Sequence, residues 1–294
     1  MDKFMNLTNF NSNKSIFNQL QAAREKFGAV DEADITTLPN DYIELENKLD
    51  ALESVHKHML KVTKVYENES YDYPHQLHNT ISEQSGQMWH SFSSFANNNL
   101  KNVNIPIPQS TAPVPQPKTL SHALSRAAAT SALEIGENDH LGNALTKFAL
   151  AHDKIGNGRL VQDNDILIGY LQPWQTTLNT SIQLAKNARN QVKNSRLWLD
   201  SCKQGLKTAS PQKVEQARLE MESAEDKLVT QTETAISLMK NVLENPEPLT
   251  SLNKLVKAQI SYHSASVDAL SAIQGDLEEI QRSAEDDFKK SRDS

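Results

Sequence analysis

The sequence predicts an all-α protein, an elongated antiparallel bundle of three long coiled-coil helices, and three observations lead to this prediction. Hydrophobic residues make up only 37% of the chain and charged residues 23%, which is typical of long helices that bury a narrow stripe. Only nine Gly and eleven Pro interrupt the 294 residues. Apolar residues recur at alternating steps of three and four through the second half, and this period indicates helices that pack along a seam.

The first half of the chain predicts shorter elements. A helix is expected from Asn40 to about Asn68, between Pro39 and an interruption at residues 70–74. Residues 1–38 form an N-terminal extension, which we expect to be amphipathic and partly disordered. Residues 102–118 hold five of the eleven prolines, so they cannot be helical and predict a Pro-rich loop inserted in the bundle.

Helical periodicity resumes at Thr119 and becomes strongest from Leu160 onward. We expect breaks near Gly136–Asp139 and at Gly156–Gly158, because glycine and aspartate are frequent at helix ends. Pro173 lies inside the first long helix, which should bend there because proline removes a backbone donor.

The remaining breakers divide the long helices from one another. Ser210 is expected to cap the second of them, with Pro211 in its first turn, and its heptad seam runs over 214–242. Residues 245–248, Asn-Pro-Glu-Pro, separate it from the last helix. That helix has an expected apolar stripe of Val256, Ile260, His263, Val267, Leu270, Leu277, Ile280, Ala284 and Phe288. Short turns make consecutive helices antiparallel, and such narrow stripes favour self-association.

Several motifs give the sequence a family resemblance. Leu255–His263, LVKAQISYH, and Asn194–Asp200, NSRLWLD, resemble the start of the last helix and the stretch before the tip in endophilin-like BAR domains. Asp41–Asp50 resembles the opening of their first helix, and residues 22–74, with AAREKFG and YDYP, are similar to fungal BAR proteins of Golgi and endosomal vesicles.

This resemblance implies a BAR domain over residues 39–290, followed by a short tail at 291–294. It implies a homodimer shaped as a curved rod that binds membranes and acts in vesicle trafficking or endocytosis. The expected location is cytoplasmic, peripheral on Golgi or endosomal vesicle membranes.

Positive charge is concentrated in one part of this acidic chain. The net charge is −7, yet residues 182–214 hold seven basic residues and one acid, Asp200, so this window is +6 and the remainder −13. The spacing places the basic residues on one helical stripe beside the apolar seam. The predicted membrane-binding residues are Lys186, Arg189, Lys193, Arg196, Lys203, Lys207 and Lys213. An ordinary solvated helix face is the alternative, but such faces usually mix the two signs of charge.

The N-terminal extension offers a second way to contact a membrane. Candidate residues for insertion into the bilayer are Phe4, Leu7, Phe10, Ile16, Phe17 and Leu20. Ala23 and Phe27 extend the apolar face of the later set. The alternative is that residues 16–27 pack on the body of the protein while residues 1–13 are disordered.

The sequence predicts no catalytic site, no metal site and no cofactor. The close histidines His56 and His58 point in different directions on a helix, and the pair His75/His78 lacks carboxylate or Cys partners at ligand spacing. The single cysteine, Cys202, excludes an intramolecular disulfide, fits a reducing compartment and is expected to be an inert core residue.

Composition also limits the partners. The negative net charge argues against nucleic acid, and no apolar stretch is long enough to span a membrane. The Pro-rich loop could bind an SH3 domain, although it has no PxxP with a flanking Arg. Two functions therefore remain: a curvature scaffold or sensor on anionic membranes, which the resemblance implies, and a coiled-coil adaptor that contacts only proteins.

Overall fold

A computed structural model describes residues 35–73, 117–136 and 138–293. Regular structure in these ranges is entirely helical, which confirms the predicted all-α class. The α-helices are α1 (Asn40–Thr63), α2 (Leu120–Ile135), α3 (His140–Ile166), α4 (Gln172–Thr177), α5 (Gln183–Lys207), α6 (Val214–Leu243) and α7 (Glu247–Asp293). A 3₁₀ helix, Lys64–Glu67, follows α1 directly.

Pro173 lies in α4, between two π-helical turns at Leu167–Leu171 and Leu178–Ile182. A proline inside an α-helix removes one hydrogen bond and clashes with the preceding turn. The wider turn at Leu167–Leu171 relieves that clash, because it changes which backbone groups pair before the proline. The proline therefore interrupts the regular α-geometry without ending the helical run.

The predicted break at Gly136 is confirmed, and the one at Gly156 is wrong. Gly136 ends α2 with a φ of 92°, and Asp139 caps α3 by accepting hydrogen bonds from the backbone of Leu141 and Gly142 at 2.8 and 3.3 Å. Gly156 instead lies within α3, where a Cβ atom would come within 2.5 Å of the His122 ring. Glycine there permits the close approach of α2 rather than a turn.

The break between α5 and α6 differs in detail from the prediction. Residues 211–213 form a turn, in which the Lys213 backbone N–H donates to the Ser210 carbonyl at 2.8 Å. Lys213 rather than Ser210 is therefore the N-cap of α6. At the other end of α6 the prediction is confirmed, since Asn245 accepts a hydrogen bond from the Glu247 N–H at 2.9 Å and α7 begins there.

The helices divide into two compact units. The first contains α1 up to Lys61 together with Trp174–Pro248. Helices α1, α5 and α6 share one apolar core, in which each fully buried Leu, Ile or Met contributes about 2 kcal/mol. The buried members of this core are Tyr42, Leu49, Ile182, Ala185, Ala188, Val192, Leu199, Cys202, Ala224, Leu228, Ala235, Met239 and Val242.

The second unit contains Val62–Pro173 and the chain from Leu249 onward. Helices α2 and α3 pack through small residues, Ala128, Ala129 and Ala149, with larger apolar side chains around them. On α7 the buried residues are Ser251, Leu255, Ala258 and Ala269.

The apolar stripe predicted for the last helix lies mostly outside this core. Its first five members, Val256, Ile260, His263, Val267 and Leu270, are exposed on the chain. Helix α7 thus has two stripes, one buried in its own unit and one facing outward, about 120° apart at 100° per residue.

Candidate functional site

Six of the seven predicted membrane-binding residues lie on one face of α5, and Lys213 follows in the turn before α6. The structure divides this basic stripe into two parts. Lys186 and Arg189 contact carboxylates of α1, whereas the residues toward the α5–α6 turn lie beyond those acids. The two parts therefore differ in how much positive charge they present to solvent.

Three acids of α1 pair with the first part of the stripe. Lys186 Nζ lies 2.7 Å from Glu53 Oε1. Arg189 binds Asp50 through both terminal nitrogens, at 2.5 and 3.2 Å, and its Nε donates to Glu46 at 2.9 Å. A two-point guanidinium–carboxylate contact is stronger and more directional than a single ion pair. These contacts hold α1 against α5 along two helical turns.

The pKa values of the paired groups follow from these contacts. Hydrogen bonds from Lys186 and Lys57 hold the pKa of Glu53 below its usual value. The Tyr42 hydroxyl donates to Glu46 at 3.2 Å, and its pKa is raised by burial and by that carboxylate. Near neutral pH this part of the stripe is consequently an array of matched charges.

The basic stripe has no basic residue between Arg196 and Lys203. Asp200 lies at the stripe position in this gap, and its side chain is buried. It accepts hydrogen bonds from the Thr36 backbone N–H at 3.0 Å and from the Thr36 hydroxyl. Lys203 donates to that same hydroxyl at 2.8 Å, and Arg196 Nη1 lies 3.4 Å from Asp200. Asp200 therefore fastens the chain before α1 to α5, a role that the sequence analysis did not assign to it.

The exposed part of the stripe consists of Lys193, Lys207 and Lys213. Neither Lys193 nor Lys213 has a carboxylate partner among the residues that the structure describes. These three lysines follow Arg189 toward the α5–α6 turn, and they are the members of the predicted set that solvent reaches most fully.

A sequence signal for the α1 contacts is present but is not among the predictions above. Glu46, Asp50, Glu53 and Lys57 recur at steps of four, three and four, so α1 has a charged stripe of its own. Its acids match the spacing of Lys186 and Arg189 on α5. Complementary stripes on two helices of one bundle indicate pairing between them.

An exposed apolar stripe on α7 is the second notable surface. Leu249, Leu252, Val256, Ile260, Val267 and Leu270 recur at steps of three, four and seven and are between 38% and 73% exposed. Groups of apolar side chains of this kind on the surface of a folded chain mark places where another surface binds.

Two of the predicted sites lie outside the described residues. The insertion candidates Phe4, Leu7, Phe10, Ile16, Phe17 and Leu20 belong to residues 1–34, and the Pro-rich loop falls almost entirely within 74–116. In the ranges that are described, no three His, Cys, Asp or Glu side chains come together as metal ligands. None of the described helices is apolar over enough of its length to cross a bilayer.

In the residues that the structure describes, the class is that of all-helical coiled-coil proteins, with a basic stripe on one helix and an exposed apolar stripe on another. The sequence matches the model of the Bin/amphiphysin/Rvs domain for vesicular trafficking over residues 12–279, and the chain belongs to this BAR family.

Two fungal proteins are similar to most of the chain. Protein GVP36 of Saccharomyces cerevisiae is 30% identical over 249 residues, which cover 83% of this chain and 76% of that protein. The meiotically up-regulated gene 64 protein of Schizosaccharomyces pombe is 26% identical over 243 residues, covering 81% and 85% of the two chains. The resemblance to fungal BAR proteins that the motifs indicated is thereby confirmed.

Proposed function

We propose that this protein is a membrane-curvature scaffold or sensor that binds anionic membranes as a homodimer during vesicle trafficking. Its BAR family supports a general role in membrane curvature and trafficking. The proposal further places the protein in the cytoplasm, peripheral on Golgi or endosomal vesicle membranes, without catalytic activity.

The observation that supports lipid binding is the exposed group of Lys193, Lys207 and Lys213. Each basic residue near an anionic surface contributes about 1 kcal/mol to membrane binding. Lys186 and Arg189 contribute less, because binding lipid would require them to leave the carboxylates of α1. We therefore assign the membrane contact to the part of the stripe nearest the α5–α6 turn.

Co-sedimentation with liposomes tests this assignment. Wild-type protein should pellet with phosphatidylserine-rich liposomes and not with neutral ones, and less at physiological than at low salt. The triple variant Lys193→Glu, Lys207→Glu, Lys213→Glu loses about 3 kcal/mol of attraction, so its affinity should fall at least about hundredfold.

A matched control makes the same charge change elsewhere. Lys227, Lys240 and Lys257 are exposed on α6 and α7, outside the stripe, and their replacement by Glu should affect binding several-fold less. If both triple variants lose binding equally, net charge rather than the stripe determines attraction. Wild-type protein that stays in the supernatant under every condition would overturn the proposal.

The exposed stripe of α7 supports the homodimer. Six apolar side chains on one face would be covered by the same face of a second copy, since a two-fold dimer buries one patch against itself. Sedimentation velocity should show a dimer for the wild type. Val256→Asp with Ile260→Asp should give a monomer with unchanged helical content, because both side chains are exposed in the single chain.

An adaptor that binds only proteins is the second candidate function. The pairing of Lys186 and Arg189 with α1 favours it, because part of the stripe is already used inside the protein. The two functions differ in their need for positive charge. An adaptor would keep its dimerisation and cellular location in the Lys193, Lys207, Lys213 variant, and a lipid scaffold would lose its membrane location.

A further inference from the structure

A groove lies between α5 and α6, beside the turn that joins them. It has a volume of about 430 Å³, enough for one or two large apolar side chains. Trp198, Cys202, Ala209 and Ala217 supply apolar surface to its lining. At 100° per residue, the α5 positions Trp198 and Cys202 lie on the opposite side of that helix from the basic stripe. Lys213, in the turn after α5, also lines the groove, so the groove adjoins one end of the proposed membrane contact.

Leu197 is buried without belonging to the core of its unit. Only 3% of its surface is exposed, yet it is not a member of the apolar core formed by α1, α5 and α6. Around the axis of α5 it lies between the groove residue Trp198 on one side and Asp200 on the other. A covered leucine at this position indicates that another part of the chain passes over it.

The N-terminal extension enters the described structure at this place. Thr36 is held by Asp200 and Lys203 of α5, so the chain that precedes it begins beside Leu197. Phe27 is eight positions before Ile35 (35 − 27), and an extended chain spans about 26 Å over that interval. Passing half-way around a helix of about 10–12 Å diameter takes roughly 16–19 Å. Residues up to Phe27 can therefore reach the groove.

We propose that residues 16–27 of the same chain dock in the α5–α6 groove and cover Leu197. Their apolar face consists of Ile16, Phe17, Leu20, Ala23 and Phe27. This face supplies side chains of the size and apolar character that the groove accepts.

Charge complementarity supports the same occupant. Residues 14–27 contain Lys14, Arg24 and Lys26 against Glu25, which is 3 − 1 = +2. Residues 213–226, from the groove residue Lys213 into α6, contain five acids and two bases, which is 2 − 5 = −3, and these side chains are exposed. An anionic bilayer would be repelled by this acidic surface, whereas a basic segment is attracted.

Docking gives the N-terminal extension a location in the absence of a membrane. The apolar face of residues 16–27 cannot lie in the groove and in a bilayer at once, so docking opposes insertion. The proposal does not depend on membrane binding, and it is tested without lipid.

Cys202 is a native probe of the groove, since it is the only cysteine of the chain. The reaction of its thiol with a small disulfide reagent should be at least about tenfold faster in Phe17→Ser with Leu20→Ser than in the full-length wild type, because a docked segment must open before the reagent enters. Phe4→Ser with Leu7→Ser alters the same extension outside the docking segment and should leave the rate unchanged.

Equal rates in the wild type and the Phe17, Leu20 variant would overturn the proposal. Wild-type protection that disappears on dilution would also overturn it, because the occupant would then be a second copy. A second measurement uses Phe17→Cys under mild oxidation. An intramolecular disulfide with Cys202 supports docking, and disulfide formation only between chains contradicts it.

Discussion

The two units of the molecule pack their helices with different kinds of side chains. In the first, α1, α5 and α6 bury a continuous aliphatic core and pair their charges at its border. In the second, α2 and α3 approach closely through alanines, and buried polar groups such as Arg159 and His122 lie nearby. The first unit also lacks an exposed stripe comparable to that of α7 among its described residues.

This difference teaches where each unit obtains its stability. Aliphatic burial is non-directional and tolerates small shifts, whereas a buried ion pair depends on all of its partners. The second unit therefore depends on a few specific contacts. The following predictions test this contrast, and peptide-resolved hydrogen exchange shows which unit each change affects.

The largest effect is expected at Arg159. Its side chain is 2% exposed, it contacts the Asp72 carboxylate, and its Nη2 lies 3.1 Å from Asp163 and 2.7 Å from the Glu69 carbonyl. Its guanidinium also stacks 3.9 Å from the Tyr71 ring centroid. Arg159→Met leaves two carboxylates without their cation and should lower the free energy of unfolding by about 3–5 kcal/mol.

Arg218→Met is the matched control for that change. Arg218 is exposed and lies 3.8 Å from Glu222, so its loss should alter stability by less than about 0.5 kcal/mol. Urea unfolding measures both variants. Faster exchange confined to the second unit, above all in α3 and residues 64–73, is expected for Arg159→Met, and equal stability of the two variants would refute the role of this buried pair.

Met239→Ala should have the next largest effect, in the first unit. Met239 of α6 is fully buried in the core shared with α1 and α5, and shortening it should cost about 2–5 kcal/mol through lost burial and a cavity. Val229→Ala on the same helix, where the side chain is 57% exposed, should change stability far less. Urea unfolding measures the stability of both variants. In Met239→Ala the amides of α2 and α3 should exchange with solvent as fast as in the wild type.

Asp200→Asn should cost about 1–3 kcal/mol, because the Thr36 and Arg196 contacts lose a charged acceptor. Asp226→Asn, at an exposed position of α6, is the control and should be neutral. Hydrogen exchange should quicken at the start of α1 in the Asp200 variant. Unchanged exchange there would show that Asp200 does not fasten this segment.

Acid should weaken the second unit before the first. Burial lowers the pKa of His122 and of His152 below the ordinary value near 6.5. On acidification the two imidazoles therefore take up protons in the unfolded chain before they do so in the folded one. The free energy of unfolding falls as the pH decreases from about 6.5 toward the folded pKa values. In the first unit, the lowered pKa of Glu53 makes stability depend on pH only when the pH falls below about 4.3, the ordinary pKa of a glutamate.

His122→Gln tests this pH dependence. His122 hydrogen-bonds to Thr119 and Asn157, and burial raises the pKa of the neighbouring Asp153, which acts in the opposite direction as the pH falls. The loss of stability between pH 7 and pH 5.5 should be smaller in the variant than in the wild type. An identical pH profile would exclude His122 as the source.

Periodicity and breakers were sufficient to predict the helical class, the positions of the basic stripe on α5 and the break at 245–248. They did not predict features that depend on contacts between helices far apart in the sequence. The sequence predicts a turn at Gly156, because only the packed His122 ring shows why glycine is needed inside the helix there. The pairing of Lys186 with Glu53 joins residues 133 positions apart, and the buried and exposed stripes of α7 cannot be ranked before α7 is packed.

The charged faces of α5 and α6 also give the first unit a transverse electric dipole. Exposed lysines lie on one helix, and a net charge of 1 − 5 = −4 lies on residues 214–226 of another. A charged surface exerts a torque on such a dipole before any contact forms, which turns the unit about its axis during approach. This orienting effect acts on the association rate, and it fades once ionic strength shortens the Debye length below about 8 Å.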